Sequence, residues 1–282
     1  MIGNPGKASC ARTVERAAKL IHNAGRKLFC DRATAQLAQL RATVCTDAVT
    51  LARSVDLILV FGGDGTMLRV ARDIAGSRTP VLGINVGGLG FLTAVPSDQL
   101  VRALNQLWHG EFGFERRALI EAEVRHVNRS VRKLALNDIV IGRGEVSRLI
   151  ELEVDVNGEP LTSYRCDGLI VSSPTGSTAY SLAAGGAVVL PTAEVFALTP
   201  ICAHTLSNRS LIVPLGGTIR IRPVSQNAAT IISADGEIVS GLSPGDVITI
   251  RRSSHSVRIM HLAGSSFFEA LRRKLHWRGA SL

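Results

Sequence analysis

The feature that most constrains this chain is a short apolar run at 55–61. It ends in Gly62-Gly63-Asp64-Gly65-Thr66 and passes at once into a helical pattern at 66–75. Continuous apolar runs of this length form strands buried on both faces of a parallel sheet, and a strand followed by glycines and a helix opens a βαβ unit. A second run, Val81-Leu82-Gly83-Ile84, supplies the next strand of that unit. Apolar positions recur at helical spacing over 11–28 and 32–41 before it, and 97–109 reads as a further helix.

From about residue 113 the pattern changes to strands separated by turn residues. Asn157-Gly158, between strand patterns at 149–156 and 161–164, signals a hairpin because both turn positions favour positive φ. Further strands are expected at 136–141, 168–172, 218–221, 229–233, 247–251 and 257–261, with one helix at about 177–186 and a closing helix at 265–275. The expected fold is therefore an α/β N-terminal domain with a parallel sheet, over 1–112, followed by a mostly β, sandwich-like domain over 113–264. Residues 265–282 form a C-terminal helix expected to pack back on the first domain. A chain of 282 residues with 46% apolar composition is long enough for two such cores.

Several classes are excluded by what the chain lacks. No apolar run approaches the roughly 20 residues that a bilayer crossing needs. The opening Met1-Ile2-Gly3-Asn4-Pro5-Gly6-Lys7 lacks the basic-then-apolar order of a secretory signal, and no C-terminal lipidation box is present, so a cytoplasmic protein with no membrane partner is expected. The five cysteines, at 10, 30, 45, 166 and 202, contain no C-x-x-C pair and read as buried thiols. A formal charge of +9 attracts anions such as nucleotides or polyphosphate. Nucleic acid is not the expected partner, because no basic stripe alternates with aromatics and aromatic residues make up only 4% of the chain. Arg272, Arg273 and Lys274 read as the solvated face of the terminal helix.

Candidate chemistry lies in three places. In 62–66 the glycines let backbone N–H groups approach a phosphate, and the helix N-terminus adds positive potential. Asp64 is the anomaly there. A carboxylate repels a phosphate unless it binds Mg²⁺ or takes a proton from an attacking hydroxyl; the alternative is a plain turn in which Asp64 caps the helix. The second place is 167–186, where a buried strand runs into Ser173-Pro174-Thr175-Gly176-Ser177-Thr178 and a helix, offering hydroxyls and free N–H groups to a ligand. The third is Asn137-Asp138, whose side chains can meet a base edge and accept from ribose hydroxyls.

Together these segments resemble the NAD kinase family over nearly the whole chain. The matching pieces are 62–66, Gly83-Ile84-Asn85, Gly90-Phe91-Leu92-Thr93, Asn137, 167–186, His204-Thr205-Leu206-Ser207 and Asp235-Gly236. The resemblance implies a phosphofructokinase-like first domain. It also implies transfer of the γ-phosphoryl of ATP, or of polyphosphate, to the 2′-hydroxyl of the adenosine ribose of NAD, giving NADP. By position, Asp64 would be the base and Gly65 would contact the nucleotide. Gly62, Gly63, Gly65 and Thr66 would form the phosphate-donor loop, with Mg²⁺ carried by the donor phosphates rather than by assigned protein ligands. Asn137 and Asp138 would hold the adenosine half of NAD. Thr178, Ala179, Tyr180, Ser181, Leu182 and Ala183 would line the adenine and nicotinamide pockets. By the same resemblance Arg148, Arg165, Asp167 and Glu237 occupy further nucleotide-contacting positions, and Arg165 and Asp167 would help frame a site shared with a neighbouring subunit of a homodimer or homotetramer.

The chain departs from the family pattern in places. Asp138 stands where glutamate is usual, Glu237 where glutamine is common, and Ala183 where serine is frequent. The opening residues lack most of the first apolar strand, which is expected frayed or absent. Two alternatives stay open at this level: a lipid kinase of the same superfamily, and an NAD-binding regulator with weakened catalysis.

Overall fold

The structure, a computed structural model, describes residues 1–88, 90–144, 148–203, 209–225 and 229–277. In chain order the first elements are β1 (Ile2–Gly3), α1 (Ala8–Asn23), β2 (Phe29–Asp31), α2 (Arg32–Leu37), β3 (Thr43–Cys45), α3 (Ala48–Ser54) and β4 (Ile58–Gly62). Next come α4 (Asp64–Asp73), β5 (Val81–Asn85), β6 (Val95–Pro96), α5 (Leu100–Trp108) and β7 (Phe112–Arg125). A run of strands follows: β8 (Ser130–Ala135), β9 (Asp138–Arg143), β10 (Ile150–Val156), β11 (Glu159–Cys166) and β12 (Gly168–Ser172). After the single turn α6 (Tyr180–Ala183) come β13 (Val195–Ile201), β14 (Leu211–Pro214), β15 (Thr218–Pro223), β16 (Thr230–Ala234) and β17 (Glu237–Leu242). The chain closes with β18 (Val247–Leu262) and α7 (Phe267–Lys274). Two compact units divide it: residues 1–116 with 257–282, and residues 117–256.

In the first unit β1, β4, β5 and the end of β18 lie side by side and parallel. The sheet is buried on both faces, which explains the unbroken apolar runs of β4 and β5. Leu59, Phe61, Leu82 and Ile84 pack against Cys10, Val14 and Ala17 of α1 and Leu100 and Leu104 of α5. The alternate residues Ile58 and Val60 point to the other face, where α4 buries Met67 and Val70. Because β1 and β4 are parallel neighbours, the chain leaves both strands at the same edge of the sheet.

The second unit is a β sandwich. One layer runs β11-β10-β15-β18 with β7 and β8 alongside, and the other runs β14-β13-β12-β9-β16-β17. Leu152, Val154, Ile219, Ile221, Ile248 and Ile250 of the first layer meet Ile139, Ile141, Leu169, Val171, Phe196 and Ile232 of the second in one core. Asn157 and Gly158 turn the β10–β11 hairpin at φ 56° and 84°, as their sequence predicts.

Several expectations need correction. The first strand is present: Ile2 and Gly3 pair with Val60 and Phe61, and Ile2 is buried. Helix α1 stops at Asn23 because Gly25 takes a positive φ of 68° and Arg26 N–H bonds back to Ile21 O at 3.1 Å, closing the helix in a Schellman motif. The patterns at 247–251 and 257–261 are one continuous strand, β18. The helix expected at 177–186 is a 3₁₀ turn, Thr175–Thr178, and the single turn of α6, ended by Gly185 at φ 84°. Four of the cysteines are buried, whereas Cys202 is exposed.

One glycine in this frame fixes the site described below. A Cβ on Gly83 of β5 would lie 2.8 Å from Leu92 O and 2.9 Å from Thr93 Cα, both backbone atoms that cannot swing aside. Gly83→Ala is expected to cost about 1–3 kcal/mol as overpacking, read as a lower urea midpoint with an unchanged slope.

Candidate active site

The turn at the end of β4 holds Asp64 as the first residue of α4, with Gly63 as the N-cap. A Cβ on Gly62 would lie 2.4 Å from Thr66 Oγ1, so the tight turn requires glycine there. No atom approaches within 4 Å of a Cβ placed on Gly65, which leaves that backbone open to a ligand.

The Asp64 carboxylate is held by the segment after β5. Oδ1 accepts from Leu92 N at 3.1 Å, Thr93 N at 3.0 Å and Thr93 Oγ1 at 3.0 Å. Oδ2 accepts from Phe91 N at 2.8 Å. A carboxylate offers about four acceptor sites, two on each oxygen, so Oδ1 is saturated and Oδ2 retains capacity for one more proton. Gly90 is the condition for this arrangement, since a Cβ there would sit 1.8 Å from Asp64 Oδ1. Behind it, Asn85 Nδ2 donates to Thr93 Oγ1 at 2.7 Å and to Gly88 O at 2.8 Å, and Asn85 Oδ1 accepts from Gly87 N at 2.7 Å. Asn85 and Thr93 are buried, at 3% and 0% exposure. Lys274 of α7 lies over the Phe91 ring, 5.3 Å from its centroid.

A separate cluster forms at one end of the second layer of the sandwich. Ser172 pairs with Asp138 in the β12–β9 ladder, and Asp235 N–H donates to Asp138 O at 3.0 Å. The start of β9, the turn after β12 and the β16–β17 hairpin turn therefore meet. Asp235 and Gly236 turn that hairpin at φ 48° and 80°. The Asp235 carboxylate accepts from Leu136 N at 3.0 Å, Asn137 N at 2.8 Å and Asp138 N at 3.3 Å. A Cβ on Gly176 would lie 2.2 Å from Asn137 O, so the turn after β12 rests directly on this backbone. The side chains of Asn137 and Asp138 have no hydrogen-bond partner among the described residues, although Asp138 is only 4% exposed. Asn137 is half-buried, and the polar ends of both side chains are free to meet a ligand. Burial, and behind it the Asp235 carboxylate, push Asp138 up to about 7.

The other predicted residues are placed less tightly. Ser181 turns inward and shares a hydrogen bond with Thr199 Oγ1 at 3.0 Å, whereas Tyr180 is 48% exposed and Ala183 lies on the surface. Thr178 Oγ1 donates to Thr175 O at 3.3 Å, and Ala179 and Leu182 are half-buried. Asp167 pairs with Arg143 at 3.4 Å, and Glu237 with Lys133 at 3.3 Å. Arg165 is exposed on β11 opposite Glu151, and Arg148 is exposed. His204-Thr205-Leu206-Ser207 lie outside the described residues. Sequence reasoning assigned no role to Asn85 or Thr93, although each falls in a segment that it had matched, and it read Asp235-Gly236 as a hairpin turn at which the resemblance places nucleotide contacts, not as the support of 136–138.

A glycine turn at a helix N-terminus, enclosing a carboxylate with one acceptor position open, defines a phosphotransferase class of site. Comparison with known proteins gives the family. The model of the ATP-NAD kinase N-terminal domain matches residues 1–112, and that of the ATP-NAD kinase C-terminal domain matches 136–262. An NAD kinase of Syntrophotalea carbinolica is 43% identical over 224 residues, covering 79% of each chain. One from Shewanella frigidimarina is 39% identical over 280 residues, covering 98% of this chain and 90% of its own. The crystal structure of an NAD kinase from Archaeoglobus fulgidus in complex with ATP aligns at TM-score 0.72 and 25% identity, over 94% of this chain and 95% of that one. Yeast NADH kinase complexed with NADH shares the fold at TM-score 0.90 and 24% identity, over 100% of this chain and 88% of that one. The chain belongs to the NAD kinase family. Its activity is the ATP-dependent phosphorylation of NAD to NADP, and neither the lipid-kinase nor the regulator alternative finds support.

The buried Asp138 gives a pH-dependent signature. Between pH 3.8 and about 7 the folded protein keeps a proton that the unfolded chain loses, so the contribution of this group to stability falls as pH rises through that window. Asp138→Asn is expected to raise the melting temperature clearly at pH 8 and by less at pH 5. At about 1.4 kcal/mol per unit the difference amounts to a few kcal/mol, and equal shifts at both pH values would show that Asp138 titrates normally.

Proposed function

We propose that Asp64 is the general base of NAD phosphorylation. The 2′-hydroxyl of the adenosine ribose attacks the γ-phosphorus of ATP, its proton passes to Asp64 Oδ2, the O2′–P bond forms, and the bond to the bridging oxygen breaks to release ADP. The observation that carries this is the unequal loading of the carboxylate, with three donors on Oδ1 and one on Oδ2. A base needs a fixed orientation and one open lone pair, and this arrangement supplies both. The backbone of 62–66 and the N-terminus of α4 cradle the donor phosphates, with Gly65 open to them.

Asn137 and Asp138 hold the adenosine half of NAD, their unpaired side chains receiving its polar groups. Thr178, Ala179, Tyr180, Leu182 and Ala183 line the base pockets, with Ser181 bracing the turn from within through Thr199. Arg148, Arg165, Asp167 and Glu237 contribute at the margins, Arg165 and Asp167 toward a neighbouring subunit of a homodimer or homotetramer. The asparagine-aspartate pair places the carboxylate about 1.5 Å further back than glutamate would, a gap that a water can bridge.

Mg²⁺ fits this site as a companion of the donor rather than as a protein-held ion. The Asp64 oxygens are largely occupied by protein donors, and Mg²⁺ is commonly bound through substrate phosphates and water. When bound it neutralises charge on the phosphates. Polyphosphate presents the same chain of phosphates and is the alternative donor. The working place of the enzyme is the cytoplasm.

The test is NADP formation from NAD, ATP and Mg²⁺, with Asp64→Asn alongside. Turnover of the variant is expected to fall by about 10²–10⁴-fold while the fold and NAD binding are kept, with a modest fall in melting temperature because an amide NH2 cannot accept from Phe91 N–H. A variant that keeps near-normal turnover removes Asp64 from the role of base.

A further inference from the structure

We propose that Lys7 is a binding residue for the phosphate chain of the donor, supplying a cationic side chain that the turn at 62–66 lacks. The inference rests on the kinase activity and adds a residue to its donor side.

Lys7 closes the segment Asn4-Pro5-Gly6-Lys7, which joins β1 to α1. That segment is fastened to the catalytic turn. Asn4 N–H donates to Phe61 O at 2.9 Å, and Asn4 Nδ2 donates to Thr66 Oγ1 at 3.2 Å. Gly6 N–H donates to Asn4 Oδ1 at 2.9 Å, and Lys7 N–H to Asn4 O at 3.3 Å, so the loop is wound on the asparagine that grips the turn.

From there the Lys7 side chain reaches across two glycine turns. Its Nζ lies 3.7 Å from where a Cβ on Gly63 would be and 3.1 Å from where one on Gly87 would be. The ammonium therefore sits at the ends of β4 and β5, the edge where ligands bind in open α/β sheets. Gly87 N–H is tied to Asn85, the residue that supports Thr93 and through it Asp64. The ammonium and the base are thus built on one hydrogen-bonded frame.

Lys7 forms no ion pair and no side-chain hydrogen bond among the described residues. The turn itself, Gly62-Gly63-Asp64-Gly65-Thr66, has no basic side chain and does have a carboxylate. A triphosphate arriving there meets backbone N–H groups and one negative side chain. An uncompensated ammonium above Gly63 opposes that repulsion, and a lysine is a compact point charge suited to a phosphate chain. Lys7 takes no part in proton transfer. Its work is to hold the donor and offset charge on the transferring phosphoryl group.

The experiment is steady-state NADP formation by wild type, Lys7→Met and Lys7→Arg, varying ATP and NAD separately, with inorganic tripolyphosphate as a competitor of ATP. Lys7→Met is expected to lose about 10²-fold in kcat/KM for ATP, to keep KM for NAD within about twofold, and to weaken tripolyphosphate inhibition in parallel. Lys7→Arg is expected to recover most of the loss. With an active wild type, a Lys7→Met variant whose ATP kinetics and tripolyphosphate inhibition match wild type overturns the inference. So does a loss shared equally between ATP and NAD, or one that arginine does not relieve. A wild type that makes no NADP overturns the kinase activity itself and this inference with it.

Discussion

Much of the first unit is arranged around matching with donors the oxygens of Asp64, a carboxylate at the end of a buried strand. Three successive backbone N–H groups, of Phe91, Leu92 and Thr93, turn toward it, together with the Thr93 hydroxyl. Successive amides converge on one point only where the chain bends sharply. The bend requires Gly90 beneath the carboxylate and Gly83 beneath the chain of Leu92 and Thr93. Asn85 locks it by spending both amide hydrogens and its oxygen inside the same network. Glycines that look like flexible punctuation are here the means of making a rigid object, because each removes the one atom that would block close approach.

The second unit treats its acids differently. Asp235 is satisfied by three backbone N–H groups and acts as a clasp that fixes the start of β9. Asp138, one of the residues so fixed, is buried without a hydrogen-bond partner among the described residues, and its pKa rises to about 7. Burial first, and then the neighbouring Asp235 carboxylate, make ionising Asp138 harder. A sheet end that retains such a residue bears a cost in the free protein that a ligand's hydroxyl can relieve.

The long, regular parts of the fold were legible in the sequence. The runs of β4 and β5 are unbroken because both faces of their sheet are covered, and Asn157-Gly158 turns its hairpin by the chemistry that predicts it. Short elements were not legible. β2 and β3 have three residues each and β1 has two, too few for any period to emerge, and they exist because neighbouring strands and helices hold them. The patterns at 247–251 and 257–261 appeared separate because Arg251-Arg252-Ser253-Ser254-His255-Ser256 reads as a polar break. In the structure this stretch remains extended within β18. The site was half legible. Asp64 drew attention as a carboxylate in a phosphate cradle, and Asn137-Asp138 as a pair of polar ends. The residues that hold them were not visible as such, because Asp235 acts across 97 to 99 positions of sequence and Thr93 across 29, distances over which no local pattern carries information.

Asp64 and Asp138 stand in contrasting surroundings. Asp64 is surrounded by donors that fix its orientation and leave one lone pair open, which suits it to the role of base proposed above. Asp138 is buried and has no hydrogen-bond partner among the described residues, which suits it to the binding role proposed above. Had the two environments been exchanged, the acid at 64 would hold its own proton near neutrality and could not take another. The acid at 138 would then already be paired and would gain little from a ribose hydroxyl. The difference lies in the chain around each acid: a bend of consecutive amides in one case, and a clasp that consumes the nearby donors in the other.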